Sequence, residues 1–177
     1  MSSPTETHLL ETIRFEFERM KGLADKALSQ INDEEFNSIP FEEGNSCAFV
    51  VQHMAGNLLS RFTDFLTSDG EKDWRNRDAE FEQQALSREA LMLQWEKGWS
   101  TLFTALSTVT AEHLLQHVYI RKEPLTVLQA LMRQVAHYSY HCGQIVTLAR
   151  WQKGASWQSL SIPRGKSTGF AGNYLKP

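Results

Sequence analysis

Cysteine is scarce in this chain of 177 residues, with only Cys47 and Cys142 present. They form no CxxC pair and no evenly spaced set, which excludes a disulfide framework, so two reduced thiols and a cytoplasmic location are expected. Long apolar runs are also missing. The longest clean one, Ala48 to Val51, falls far short of the roughly 20 residues a bilayer demands, so no membrane span is expected. Met1-Ser2-Ser3-Pro4-Thr5-Glu6 lacks the basic start and apolar centre of a signal peptide. Neither sign of charge dominates, with 18 Lys and Arg against 21 Asp and Glu. No basic block with interleaved aromatics occurs, which argues against nucleic acid as a partner. A chain of this length buries about 70% of its extended surface, and residues 1–177 read as a single domain.

What is there is helical periodicity. Ser3-Pro4-Thr5-Glu6 reads as a helix start, with Ser3 as N-cap, Pro4 in the first helical position and Glu6 closing a capping box. Leu10, Ile13, Phe17, Met20, Ala24, Ala27 and Ile31 then recur three and four apart, the seam of a helix in a bundle. A connection holding Pro40 and Gly44 ends at Asn45-Ser46, good caps for a second helix from about Cys47 to Leu66. Its stripe is Ala48, Val51, Ala55, Leu58, Phe62 and Phe65, and its early turns are apolar nearly all round. His53 and Asn57 share a second face there, one turn apart.

Ser68 to Gln84 reads as a long charged loop carrying two aromatics expected to be buried, Trp74 and Phe81, among Arg75, Asn76, Arg77, Asp78 and Glu80. Such a loop is either a solvated connection or a cover over a pocket. A third helix is expected from Ser87 to about Ser107, burying Leu91, Trp95, Leu102 and Ala105. His117-Val118-Tyr119-Ile120-Arg121 can form a short extended piece, with Pro124 in the first turn of a fourth helix that Gly154 ends. On that helix Leu128, Leu131, Val135, Cys142, Val146 and Ala149 share one face, and Ala130, Gln134, His137, His141, Gln144 and Leu148 the opposite one. The fold class predicted is all-α, a four-helix bundle with a long charged loop between its second and third helices and an irregular tail. That tail carries Arg164, Lys166 and Lys176.

The chemistry-bearing stretch is Ala136-His137-Tyr138-Ser139-Tyr140-His141-Cys142-Gly143-Gln144-Ile145. Residues four apart on a helix lie about 40° apart around its axis and about 6 Å along it, so His137 and His141 point the same way, with Gln144 one turn on. A metal centre needs at least three protein ligands, and His53 is the candidate third. Three imidazoles suit zinc, nickel or another borderline divalent ion. The competing reading is that these are hydrogen-bonded core histidines. The pair His113 and His117 has the same spacing but sits where the helical pattern fails, so exposed or locally bonded roles are expected. Cys142 adjoins His141 but falls on the core stripe, as a small buried hydrophobe rather than a nucleophile.

One histidine early in the second helix, in Val51-Gln52-His53-Met54, and the run His137-Tyr138-Ser139-Tyr140-His141-Cys142-Gly143-Gln144-Ile145 in the fourth resemble the DinB/YfiT-like family of metal-binding bundles. The likeness covers nearly the whole chain, and Asp73-Trp74-Arg75-Asn76-Arg77-Asp78-Ala79-Glu80-Phe81 is similar to a loop of a poorly characterised branch. The resemblance implies a divalent metal held by three histidines, which here fall on His53, His137 and His141. It also implies frequent homodimers and, in several branches, transfer or isomerisation using a low-molecular-weight thiol of the bacillithiol, mycothiol or glutathione type.

The function expected is therefore metal-dependent S-transfer on a small-molecule substrate, with Asn57, Arg75, Arg77 and Gln144 as candidate substrate-binding groups. A metal-dependent hydrolase is the alternative, although no carboxylate base is clearly placed for it. A non-catalytic, stress-related metal-binding dimer is the alternative from another class.

Overall fold

The computed structural model describes residues 4–82 and 86–168, and most of its helices begin at polar caps. Among the described residues there are five α-helices and one two-stranded sheet. They are α1 (Pro4–Leu28), α2 (Asp33–Asn37), α3 (Cys47–Phe62), α4 (Arg88–Thr108), β1 (His117–Ile120), β2 (Glu123–Thr126) and α5 (Val127–Lys153). Ser46, Ser87 and Thr126 cap α3, α4 and α5 by accepting from the backbone N–H of Phe49, Ala90 and Gln129, each satisfying a donor that the first turn leaves free. Pro4 opens α1 as expected; the cap expected at Ser3, the loop end at Gln84 and Lys176 of the tail lie outside the described residues.

Three boundaries differ from the sequence reading. The connection after Ile31 folds into α2, because Asn32 and Glu35 form a reciprocal capping box. Helix α3 stops at Phe62 rather than Leu66, and two residues on Asp64 takes a positive φ of 51°. Pro124 lies in β2, not in the first turn of the last helix, since the extended stretch at His117 pairs with it as an antiparallel hairpin in the register Ile120↔Glu123. Arg121 and Lys122 form its two-residue turn at φ 56° and 64°, the positive values that short hairpin turns require. Neither residue favours that conformation, but Asp69 accepts from both backbone N–H groups, at 2.9 and 2.7 Å.

The seam predicted on α1 is the one buried, with Ile13, Phe17, Met20, Ala24 and Ala27 at 3% exposure or less. Helix α3 packs on α4 and α5, and α1 on α5. Gly98 admits α4 to within reach of α3, since a Cβ there would lie 3.0 Å from Leu58 Cβ. Phe17, Phe62, Trp95, Trp99 and Tyr138 interlock at the centre, with Phe17 to Tyr138 at 5.9 Å and Trp99 to Tyr138 at 5.7 Å between ring centroids. Tyr138 revises the two-faced reading of the last helix. The buried residues of α5, Val127, Ala130, Leu131, Gln134, Tyr138, His141, Cys142, Ile145 and Ala149, form one stripe about 120° wide at 100° per residue. The two faces read from sequence are the flanks of that stripe, and the histidines sit on its edge.

No helix is long and apolar enough to cross a membrane among the described residues.

Candidate metal centre

His53 projects from the second turn of α3 and His137 and His141 from the middle of α5, and the three rings meet. Ring centroids lie 4.6 Å apart for His137 and His141, 4.8 Å for His53 and His141, and 5.5 Å for His53 and His137. One ligand atom from each falls within 4.8 Å of the others. Nitrogens sharing one zinc-like ion at about 2.0–2.1 Å stand roughly 3–4 Å apart, so small ring rotations close the set. His53 and His141 are buried and His137 is half-buried.

The nitrogens facing away from this meeting point are already held. His53 Nδ1 donates to Glu80 Oε2 at 2.8 Å, and Arg75 grips the same carboxylate with two further bonds, Nε to Oε1 at 2.7 Å and Nη2 to Oε2 at 2.8 Å. Burial pushes the Glu80 carboxyl up, but hydrogen bonds from His53 and Arg75 outweigh it and hold the group below the usual carboxylate range. His141 Nδ1 donates to Gln144 Oε1 at 2.7 Å, and Gln144 Nε2 donates to the Tyr140 hydroxyl at 3.1 Å. Both imidazoles are thereby fixed as tautomers whose Nε2 carries the lone pair, the arrangement in which partners orient metal-binding histidines. His137 Nε2 is buried and has no hydrogen-bond partner. A core histidine would be paired, so this orphaned nitrogen beside two free ones fits a metal ligand set. Burial, then the neighbouring His141 and His53, lower the His137 pKa to about 3, and burial followed by His53 lowers that of His141 against the bond to Gln144.

Glu80 reaches His53 because the loop after α3 folds back over it. Residues Asp78–Phe81 form a single 3-10 turn, tied to α3 by Gln52 Nε2 donating to Ala79 O at 2.9 Å, and the Phe81 ring lies over His53 at 4.8 Å. Gly56, one turn beyond His53, makes room: any Cβ there would overlap the Glu80 carboxylate. The loop is thus a cover, and Phe81 is partly enclosed as expected. Trp74 is not, being 60% exposed; its neighbour Arg75, with a side chain 2% exposed, takes the inward position.

The candidate substrate groups separate. Asn57, Arg75 and Arg77 line one cavity of about 200 Å³ with His53 and His137. Within it Asn57 is buried and accepts from the Tyr138 hydroxyl at 3.0 Å, Arg75 is engaged by Glu80, and Arg77 is exposed at the rim. Gln144 lines a different groove, with Phe41, Val50 and Tyr140, and reaches the centre only through His141.

Sequence reasoning left out Arg61, Arg121, Arg133 and the role of Glu80. Arg61 was within reach, because His53, Asn57 and Arg61 stand at i, i+4 and i+8 on α3, and Arg133 precedes His137 by four on α5. Glu80 and Arg121 arrive across a loop and a hairpin turn, where periodicity gives no signal. The decoy pair behaves as expected: His113 Nδ1 accepts from Thr110 N at 2.9 Å, and His117 is exposed.

No curated protein matches the chain. A family model does, over residues 5–166, and with nearly the whole chain matched, this protein belongs to the family described as Protein of unknown function (DUF1572).

Proposed function

We infer that the chain is a DinB/YfiT-like four-helix bundle that holds a divalent metal, zinc or nickel, on His53, His137 and His141 and serves as a metal-dependent S-transferase. One observation carries this reading: three histidines converge with two outer nitrogens held by Glu80 and Gln144 and the buried Nε2 of the third unpaired. A divalent ion bound there lowers the pKa of a thiol sulfur and so supplies a thiolate near neutral pH.

The chain's own residues do the rest. Glu80, braced by Arg75, accepts from Nδ1 of His53 and keeps the ring in place. Gln144 does the same for His141. Burial keeps His137 neutral down to about pH 3, so no proton competes for its lone pair at neutral pH. Neither cysteine serves as nucleophile, because burial pushes Cys47 and Cys142 up to about 12. The thiol therefore comes from a small molecule of the bacillithiol, mycothiol or glutathione type, and the chain acts as a homodimer, as the family resemblance implies, in the cytoplasm, as two reduced cysteines without a disulfide framework suggest.

A metal-dependent hydrolase is the second reading, favoured by the nearness of Glu80 to the histidines. Both Glu80 oxygens are committed to Arg75 and His53, which leaves it poorly placed to take a proton from water. A non-catalytic, stress-related dimer is the third.

Elemental analysis of the purified protein beside a His137→Ala variant tests the centre. About one equivalent of divalent metal, lost in the variant, is expected. Turnover with a panel of thiols and electrophiles, against esters and amides, then separates the three readings. A parent protein that takes up neither zinc nor nickel would sink all three readings, since each places a metal on the histidines, and would return those histidines to the core.

A further inference from the structure

The cavity beside the histidines carries a charge pattern that metal binding leaves unexplained. Five arginines line its 200 Å³: Arg61 from α3, Arg75 and Arg77 from the loop, Arg121 from the hairpin turn and Arg133 from α5. Among the described residues their ion pairs involve two carboxylates, Glu80 on Arg75 and Glu71 on both Arg61 and Arg121. Arg77 and Arg133 have no ion-pair partner among the described residues.

Gathering like charges from four separate elements costs repulsion, and a partly enclosed cavity focuses the resulting field. Burial adds a second and independent sign of a missing ligand. The Arg75 side chain is 2% exposed, two of its nitrogens bind Glu80, and its buried Nη1 donates to nothing. A buried donor left open in this way costs about 1–3 kcal/mol, more when charged. Gln134, also buried and lining the cavity, has an unpartnered amide oxygen position, where an amide rotated by 180° would present its NH2.

We propose that this cavity binds a compact dianionic oxyanion group, of the phosphate monoester or dicarboxylate class, on Arg75, Arg77 and Arg133. Guanidinium forks recognise such oxygens in pairs, and a dianion offsets two of the three positive charges that Glu80 and Glu71 leave unbalanced among the five arginines. Size agrees. At about 30 Å³ per water the cavity holds roughly six or seven waters, room enough for a phosphoryl group or a short dicarboxylate. His53 and His137 line the same cavity, so the anion lies beside the histidine centre and selects which molecules present their reacting end to it. The proposal rests on the metal reading for that last role alone; the anion site stands without it.

Calorimetric titration of the full chain tests it, with inorganic phosphate and with succinate, at fixed ionic strength in chloride, on chelator-treated and on zinc-loaded protein. Saturable binding of at least one dianion to both forms is expected, at one per chain and at least tenfold tighter than acetate. Phosphate alone would assign a phosphoryl group, and succinate alone a dicarboxylate. In the R77Q/R133Q double variant affinity should fall at least tenfold, with an unchanged melting curve because both side chains are exposed. Absence of binding by either dianion, or equal binding in the double variant, overturns the proposal. Metal uptake without anion binding would leave the metal reading standing alone, and anion binding without metal uptake would do the reverse.

Discussion

Two buried regions meet at Tyr138, and they are stabilised by opposite means. On one side Phe17, Trp95 and Trp99 fill the space between α1, α4 and α5 with rings. The polar requirement there is small, such as the Trp95 N–H donating to Asp25 at 2.9 Å. On the other side His53, Glu80 and Arg75, all nearly inaccessible, replace apolar packing with charge. The ring side holds by dispersion and water exclusion, which no single contact dominates. The charged side is a chain of mutual dependence: remove one member and the next is buried without a partner.

The sharpest way to break the comparison is to truncate once on each side. Phe17→Ala should cost about 3–5 kcal/mol as a core cavity, read as a lower urea midpoint, while the folded variant keeps its full equivalent of metal. Glu80→Ala should cost a similar amount, about 3–5 kcal/mol, because Arg75 is left buried and unpaired. Unlike the first variant it should also lose roughly 10–100-fold in metal affinity, since His53 loses the group that orients it. Adding Arg75→Ala to Glu80→Ala should restore much of the stability and none of the affinity. If Glu80→Ala bound metal as tightly as the parent, Glu80 would be a structural anchor only.

How far the sequence went differs between these sides for the same reason. The ring side is made by long helices, whose seams repeat every three or four residues, and Ile13, Phe17, Met20, Ala24 and Ala27 were legible from spacing alone. So was the histidine set, because His137 and His141 share a turn and His53 sits where α3 is apolar all round. The partner of His53 was hidden. Glu80 lies 27 residues away, across a loop, and nothing in Asp78-Ala79-Glu80-Phe81 distinguishes the buried acid from the exposed one. Only Gly56, next on the helical face after His53, leaves a trace, and a glycine inside a helix has many causes. Tyr138 was missed on the ring side because it falls between the two faces read from spacing, near the centre of the stripe that α5 buries.

Tyr138 joins the sides through its hydroxyl, which donates to Asn57 at 3.0 Å on the wall of the arginine-lined cavity. Tyr138→Phe keeps the ring and deletes that donor. The expected loss is about 1 kcal/mol, up to about 3 where the stranded Asn57 oxygen finds no water. The Phe17→Ala change should leave Asn57 bonded, so the two variants add if the regions are independent and couple if Tyr138 transmits strain. A double-mutant cycle by urea unfolding decides it, with coupling above about 0.5 kcal/mol showing that the cavity wall depends on the ring side.

The smallest expected effect concerns the two thiols, which lie among apolar residues beyond the charged cluster. Burial raises both Cys47 and Cys142 to about 12, against about 8.5 for an ordinary thiol, so at pH 7 the reactive thiolate is roughly one part in 10⁵ rather than a few per cent. A raised thiol pKa keeps the group protonated at neutral pH and releases thiolate only as pH climbs toward 12. Iodoacetamide at pH 7 should therefore leave both cysteines unmodified in the folded chain and label both quickly in denaturant, with mass spectrometry counting the adducts. Metal removal should not change this, because the apolar side owes its closure to packing and not to the histidines. Labelling that appears only in the chelator-treated protein would show that the metal centre also holds the ring side shut, and the two regions would then have to be treated as one cooperative unit.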